Sequence, residues 1–138
     1  MMSQTILMAD DDADDRFLVQ AAFEDNKIQY TILFFEDGEQ LVDYLANSKN
    51  TKSTRFILLD LNMPKRDGKD VLRTLKSDKK LSHIPIIVFS TSKAPDDINS
   101  SYQLGANSYV VKPSSYEHLK EVIHKISDFW LNTAMTPL

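Results

Sequence analysis

The sequence contains no cysteine. That excludes a disulfide framework, a thiol nucleophile and any thiolate metal site, and it fits a reducing, cytoplasmic setting. Glycine occurs only three times, which disfavours the glycine-rich loops that cradle nucleotide phosphates. No uninterrupted apolar run approaches the roughly 20 residues of a membrane-spanning helix, so no membrane partner is expected. Residues 1–8 carry no basic side chain ahead of their apolar part, unlike a secretory signal. An excess of positive charge is also missing. Sixteen basic against twenty acidic side chains leave a net charge of -4, whereas a nucleic-acid-binding module is more often basic overall.

What is present is an ordinary globular composition. A chain of 138 residues with 42% apolar types is long enough to bury its own core as one domain. No internal repeat or low-complexity linker divides it. The expected layout is a single domain over 1–138, with a core over about 4–127 and a C-terminal extension over 128–138.

Short apolar runs alternate with amphipathic stretches. Residues 5–9 (TILMA), 30–35 (YTILFF), 56–59 (FILL), 84–89 (IPIIVF) and 108–111 (SYVV) read as five strands. Five helices are expected between and after them. In the first, Asp12 is the predicted cap, and Phe17, Leu18, Ala21 and Ala22 are predicted to share the buried face. Asp37 with Gln40, and Ser114 with Glu117, have capping-box spacing. Residues 47–54 are polar and read as a loop. Pro95 suits the first turn of the fourth helix and Gly105 its end. In the last helix Leu119, Val122, Ile123, Ile126 and Trp130 form one stripe.

Strands one, three and four are apolar almost throughout, as when helices cover both faces of a parallel sheet. The predicted fold is α/β, a doubly wound five-stranded parallel sheet, for which right-handed crossovers leave few topologies. Such sheets place their site at the C-terminal edge of the strands. That rule selects Asp10 and Asp11, Asp60, Ser90 with Thr91, and Lys112. Crowded carboxylates repel one another, and a hard divalent cation with oxygen ligands relieves the conflict. A carboxylate can act as a nucleophile and become an acyl phosphate. A lysine and a hydroxyl can steady the charge of the transferred group. The set therefore reads as a phospho-acceptor site.

Four segments, each at a predicted strand end, carry a resemblance. They are ILMADDD at 6–12, LLDLNMPKRDG at 58–68, IIVFSTS at 86–92 and GANSYVVKP at 105–113. Together they resemble a response-regulator receiver domain, and the resemblance implies a flavodoxin-like sheet in the order 2-1-3-4-5. The resemblance implies a Mg²⁺-dependent phospho-acceptor at Asp60. It implies metal ligation by Asp10, Asp11, Asp60 and the Asn62 main-chain carbonyl. Lys112 is the implied phosphoryl-pairing lysine, Ser90 the switch hydroxyl and Tyr109 an aromatic switch residue that moves inward on activation. Asn62 and Ser92 match positions that tune dephosphorylation. Pro113 matches a proline commonly preceded by a cis bond. The implied signal is a rearrangement of the fourth strand, fourth helix and fifth strand. The implied partners are a sensor histidine kinase and a histidine phosphotransfer protein. The ADDDADD opening, FSTSKAPDDI and the FW pair near the C-terminus further resemble stand-alone phytochrome-associated regulators, pointing to a phytochrome-type kinase.

Other readings compete. Asp12, Asp14 and Asp15 read as a solvated helix N-terminus. A calcium loop fails, because Asp15 stands at its glycine position and Ala21 at its glutamate position. A phosphohydrolase of the haloacid dehalogenase type needs an acid two residues after its nucleophile, where this chain has Asn62. His83, His118 and His124 lack metal-ligand spacing. A receiver-like module that works without phosphorylation is the alternative. The apolar tail over 129–138 is expected either to pack on its own domain or to join a homodimer through the side formed by the fourth helix, fifth strand and fifth helix.

Overall fold

The computed structural model describes residues 4–137. Met1 to Ser3 and Leu138, which the expected layout included, lie outside the described residues. Five parallel strands form one sheet: β1 (Thr5–Ala9), β2 (Thr31–Phe35), β3 (Thr54–Leu59), β4 (Ile86–Ser90) and β5 (Ser108–Val111). Their order is β2-β1-β3-β4-β5, as predicted.

The central strands are apolar on both faces because both faces are covered. In β1, Leu7 and Ala9 join one buried cluster and Ile6 and Met8 the other; β3 and β4 alternate in the same way. One face receives Leu41 and Leu45 of α2 (Gly38–Leu45) and Val71, Leu72 and Leu75 of α4 (Gly68–Ser77). The other receives α1 (Ala13–Asp25) and α6 (Tyr116–Asp128). The last predicted stripe is confirmed, with Leu119, Ile123 and Ile126 buried.

Four expectations are corrected. The chain forms a sixth helix, α3 (Ser48–Ser53), where a loop was predicted. Asn47 accepts a hydrogen bond from the Lys49 N–H at 2.9 Å, and the Thr51 hydroxyl donates to the Leu45 carbonyl at 3.0 Å. These polar bonds fold a turn that has no apolar stripe to announce it. Second, α6 is capped by Ser115, which accepts from the His118 N–H at 3.2 Å; the Ser114 reading was one residue early. Third, α1 buries Val19, Ala22 and Phe23, while Phe17 is 72% exposed. The helix is rotated from the predicted face: both Leu18, Ala21, Ala22 and Val19, Ala22, Phe23 have i, i+3, i+4 spacing, and the second set is the one that meets the sheet. Fourth, the bond before Pro113 is trans. The two isomers of an X–Pro bond differ by only about 0.5–1 kcal/mol, so sequence alone does not choose between them.

Other signals hold. Asp12 caps α1 by accepting from the Asp14 and Asp15 N–H groups at 2.8 and 3.3 Å. Pro95 opens α5 (Pro95–Gln103), and Gly105 follows its end at φ +106°, a conformation that favours glycine. After α6 the chain makes a π-helical turn (Phe129–Thr133). Trp130 and Leu131 pack against the α1/α6 cluster, and Arg55 reaches the Trp130 carbonyl at 3.4 Å. This part of the tail thus packs on its own domain. Among the described residues no helix is long and apolar enough to cross a membrane.

The ladder also runs one residue past several strands. The Asp10 N–H bonds the Phe35 carbonyl at 3.0 Å, the Asp60 N–H the Ala9 carbonyl at 3.0 Å, and the Lys112 N–H the Ser90 carbonyl at 2.8 Å. Three functional candidates thus inherit the sheet's own order. Beneath them, the Gly68 N–H donates to the Leu61 carbonyl at 2.8 Å. A Cβ on Gly68 would stand 2.3 Å from the Asp60 carbonyl oxygen and 2.6 Å from the Leu61 Cα. Both are backbone atoms that cannot swing aside. Gly68→Ala is expected to lose roughly 2–3 kcal/mol in urea unfolding; an unchanged midpoint would show that the β3–α4 loop is not pressed against Asp60.

Candidate functional site

Asp10 and Asp60 follow β1 and β3, the two innermost strands of the acidic edge, and Asp11 follows Asp10. Asp10 is completely buried and Asp60 nearly so, while Asp11 is exposed. One oxygen from each of the three carboxylates lies within 4.8 Å of the others. Asp10 is fixed at both ends. Its Oδ1 accepts the Asp12 N–H at 2.9 Å, and its own carbonyl accepts Nη1 of Arg16 at 2.7 Å.

Lys112, one residue past β5, spans the site. Its Nζ donates to Asp10 Oδ2 at 2.6 Å, Asp15 Oδ2 at 2.9 Å and Asp60 Oδ2 at 3.4 Å. Burial and charge compete at each group. Burial raises the Asp10 and Asp60 carboxyls above the usual carboxylate range, and Lys112 only partly offsets it. At Lys112 burial opposes the charge, but hydrogen bonds to Asp10 and Asp15 and the charges of Asp10 and Asp60 outweigh it and raise the ammonium well above the ordinary lysine range.

The donor set suits a hard divalent cation: carboxylate oxygens only, clustered, and incompletely neutralised by one lysine. Asn62 stands at the exposed rim between the buried Leu61 and Met63. Its N–H lies 3.5 Å from Asp60 Oδ1, a long contact.

Ser90 is fully buried at the end of β4. Its hydroxyl oxygen accepts the Ser92 N–H at 3.2 Å. Tyr109 is half-buried against the core, and its hydroxyl donates to the Ser92 carbonyl at 2.9 Å. The two predicted switch residues therefore meet on the backbone of Ser92. The Ser92 hydroxyl donates to Asp97 Oδ2 at 2.6 Å, and Asp97 Oδ1 accepts Lys69 Nζ at 2.7 Å. Both bonds, that of Lys69 first, hold the Asp97 carboxyl below its usual range.

The structure thus gathers Asp10, Asp11, Asp60 and Lys112 and sets Ser90 and Tyr109 beside them around Ser92. Sequence reasoning missed Asp15, Arg16 and the Asp97–Lys69 pair. For the first two a signal existed. Val19, Ala22 and Phe23 are also spaced i, i+3, i+4. Choosing them as the buried face turns the preceding turn, with Asp15 and Arg16, toward the strand ends. The pairing of Lys69 with Asp97 joins α4 to α5 across 28 positions, and no local pattern announces it.

The model of the response regulator receiver domain family matches residues 6–124. Response regulator Rcp1 of Synechocystis sp. is 34% identical over 137 residues, covering 97% of this chain and 93% of its own. The solved structure of the phosphorylated cyanobacterial phytochrome response regulator RcpA matches with a TM-score of 0.89 at 36% identity, over 99% of each chain. The Mn(2+)-bound form of response regulator Rcp1 matches with a TM-score of 0.86 at 33% identity, over 98% of this chain and 99% of its own. With the family's pattern running from β1 into α6, this chain belongs to the response regulator receiver domains of two-component signalling.

Proposed function

We propose that Asp60 accepts a phosphoryl group from a phosphohistidine and that the domain signals through the face formed by β4, α5 and β5. The observation that carries this reading is the Lys112 ammonium held against both Asp10 and Asp60 beside a trio of clustered carboxylates. In the reaction an Asp60 oxygen attacks phosphorus, and the O–P bond forms as the P–N bond to the donor imidazole breaks. The electron pair stays on the imidazole nitrogen. Lys112 counters the negative charge on the transferred oxygens.

Asp10, Asp11, Asp60 and the Asn62 main-chain carbonyl are the groups that would hold Mg²⁺. That ion would neutralise charge on the acceptor and the phosphoryl oxygens. The proposed switch starts at Ser90. Its hydroxyl turns from the Ser92 N–H toward the phosphoryl group, and this loosens a loop whose other restraints are Tyr109 and Asp97. The proposed donor is a sensor histidine kinase of the phytochrome type, by similarity to regulators so described. A histidine phosphotransfer protein is the proposed further partner, and a cytoplasmic site of action fits these roles.

The direct test is intact mass after incubation with phosphoramidate, with and without Mg²⁺. A phosphoryl adduct is expected on the wild type with Mg²⁺ and none on Asp60→Asn. An adduct that survives that substitution contradicts the assignment. No adduct on the wild type favours the phosphorylation-independent module.

The charge of Asp60 also has a cost in stability. Because folding raises its carboxyl, the folded state binds the proton more tightly than the unfolded chain. The penalty of ionising it grows as pH rises from the ordinary carboxylate range through the raised value. In the metal-free protein Asp60→Asn is therefore expected to raise Tm at neutral pH. The gain should vanish as pH falls to the ordinary range. Calorimetry showing an equal gain at both extremes counts against this account.

We also propose a homodimer through the α5–β5–α6 side and the tail. Met135 is 97% exposed and Phe129 is half exposed, although Trp130 and Leu131 are taken up by their own domain. Sedimentation should show dimers at high micromolar concentration, with or without phosphorylation; a monomer in both states ends this proposal.

A further inference from the structure

Lys112 presents three ammonium protons, and three carboxylates receive them. Asp10 and Asp60 belong to the clustered trio, whose third member is Asp11. Asp15 does not, yet its bond to Nζ, at 2.9 Å, is shorter than that of Asp60. Asp15 sits on the first turn of α1. Its N–H is tied to Asp12 Oδ1 at 3.3 Å, and its side chain is 35% exposed against 9% for Lys112. The rotation of α1 that buries Val19, Ala22 and Phe23 is what turns this position toward the sheet edge.

A lysine is a point charge on a flexible four-carbon stem. It helps a transferring phosphoryl group only if it is already in place. Its other two acceptors have competing duties. Asp60 supplies the attacking oxygen, and Asp10 is part of the set suited to a dication. Whatever draws on those carboxylates loosens their hold on Nζ. Asp15 is the acceptor with no such duty.

We propose that Asp15 is a positioning residue for phosphoryl transfer, keeping the Lys112 ammonium beside Asp60 through a carboxylate that neither reacts nor belongs to the clustered trio. The proposal rests on the reading of Asp60 as phospho-acceptor. With acetyl phosphate as donor, an Asp60 oxygen forms the new O–P bond. The bridging O–P bond breaks, and acetate leaves with the electron pair. Lys112 transfers no proton in this step; it stands against the charge on the phosphoryl oxygens, and Asp15 keeps it there.

The test combines two readouts. The first is NMR of ¹⁵Nζ-labelled lysine in the metal-free protein. A protected Lys112 ammonium signal is expected in the wild type. It should weaken in Asp15→Asn and return in Asp15→Glu, which keeps the charge at a half-open rim. The second is the rate of phosphorylation by acetyl phosphate, followed by intact mass at saturating Mg²⁺. Asp15→Asn should slow it roughly tenfold, less than the roughly hundredfold a 1 Å misplacement can cost, because Asp10 and Asp60 still hold Nζ, and Asp15→Glu should recover most of the loss. In a Lys112→Ala background, Asp15→Asn should change nothing further. An unaltered signal and rate in Asp15→Asn overturn the proposal. So does a loss that persists without Lys112, since Asp15 would then act by another route. A wild type that takes no phosphoryl group overturns the Asp60 reading and this proposal together; normal wild-type labelling with an unaffected Asp15→Asn overturns this proposal alone.

Discussion

The Lys112 ammonium is the charge around which this domain's functional edge is arranged. Two unit charges 4 Å apart at an effective dielectric of 20 interact by about 4 kcal/mol, so neighbouring buried carboxylates cannot be left uncompensated. Asp10 is wholly buried and shares a small volume with Asp60 and Asp11. One lysine, at 2.6 Å from Asp10 and 3.4 Å from Asp60, offsets this only in part. Burial is the larger cause, the neighbouring charges add to it, and both carboxyls remain above their ordinary range. A site left short of positive charge is suited to receive it.

The backbone imposes the crowding. β1, β2 and β3 end level, β4 and β5 run about two residues further, and the ladder continues into Asp10, Asp60 and Lys112. These side chains cannot separate without breaking sheet hydrogen bonds. Gly68 closes the arrangement from below, bringing the β3–α4 loop into backbone contact with Asp60 and Leu61. Core packing holds the strands, the strands hold the charges, and the charges define the chemistry.

Ser92 links this edge to a distant face. Its N–H is given to Ser90, its carbonyl receives Tyr109, and its hydroxyl is given to Asp97, which Lys69 holds in turn. One residue of the β4–α5 loop is thus tied to β4, β5, α5 and α4. These bonds form a continuous hydrogen-bonded connection from Ser90 to α4, the route the proposed switch would use.

Much of this was legible in the residues. The apolar runs of β1, β3 and β4 require burial on both faces, which implies a helix-covered parallel sheet and so a site at its C-terminal edge. The aspartates after β1 and β3, Lys112 after β5, and a hydroxyl at the end of β4, with Ser90 and Thr91 both eligible, follow from that rule. What the sequence left open is where two periodicities compete or none exists. The α1 stretch offers apolar residues on more than one face, and only packing against the sheet chooses Val19, Ala22 and Phe23, carrying Asp15 from solvent to Lys112. The helix over Ser48–Ser53 rests on local polar bonds without an apolar stripe. Strand ends are set by short-range patterning, so sequence determines which charges stand at the edge. Their partners across 97 or 28 positions are set by how helices rotate and dock, and that only the tertiary structure decided.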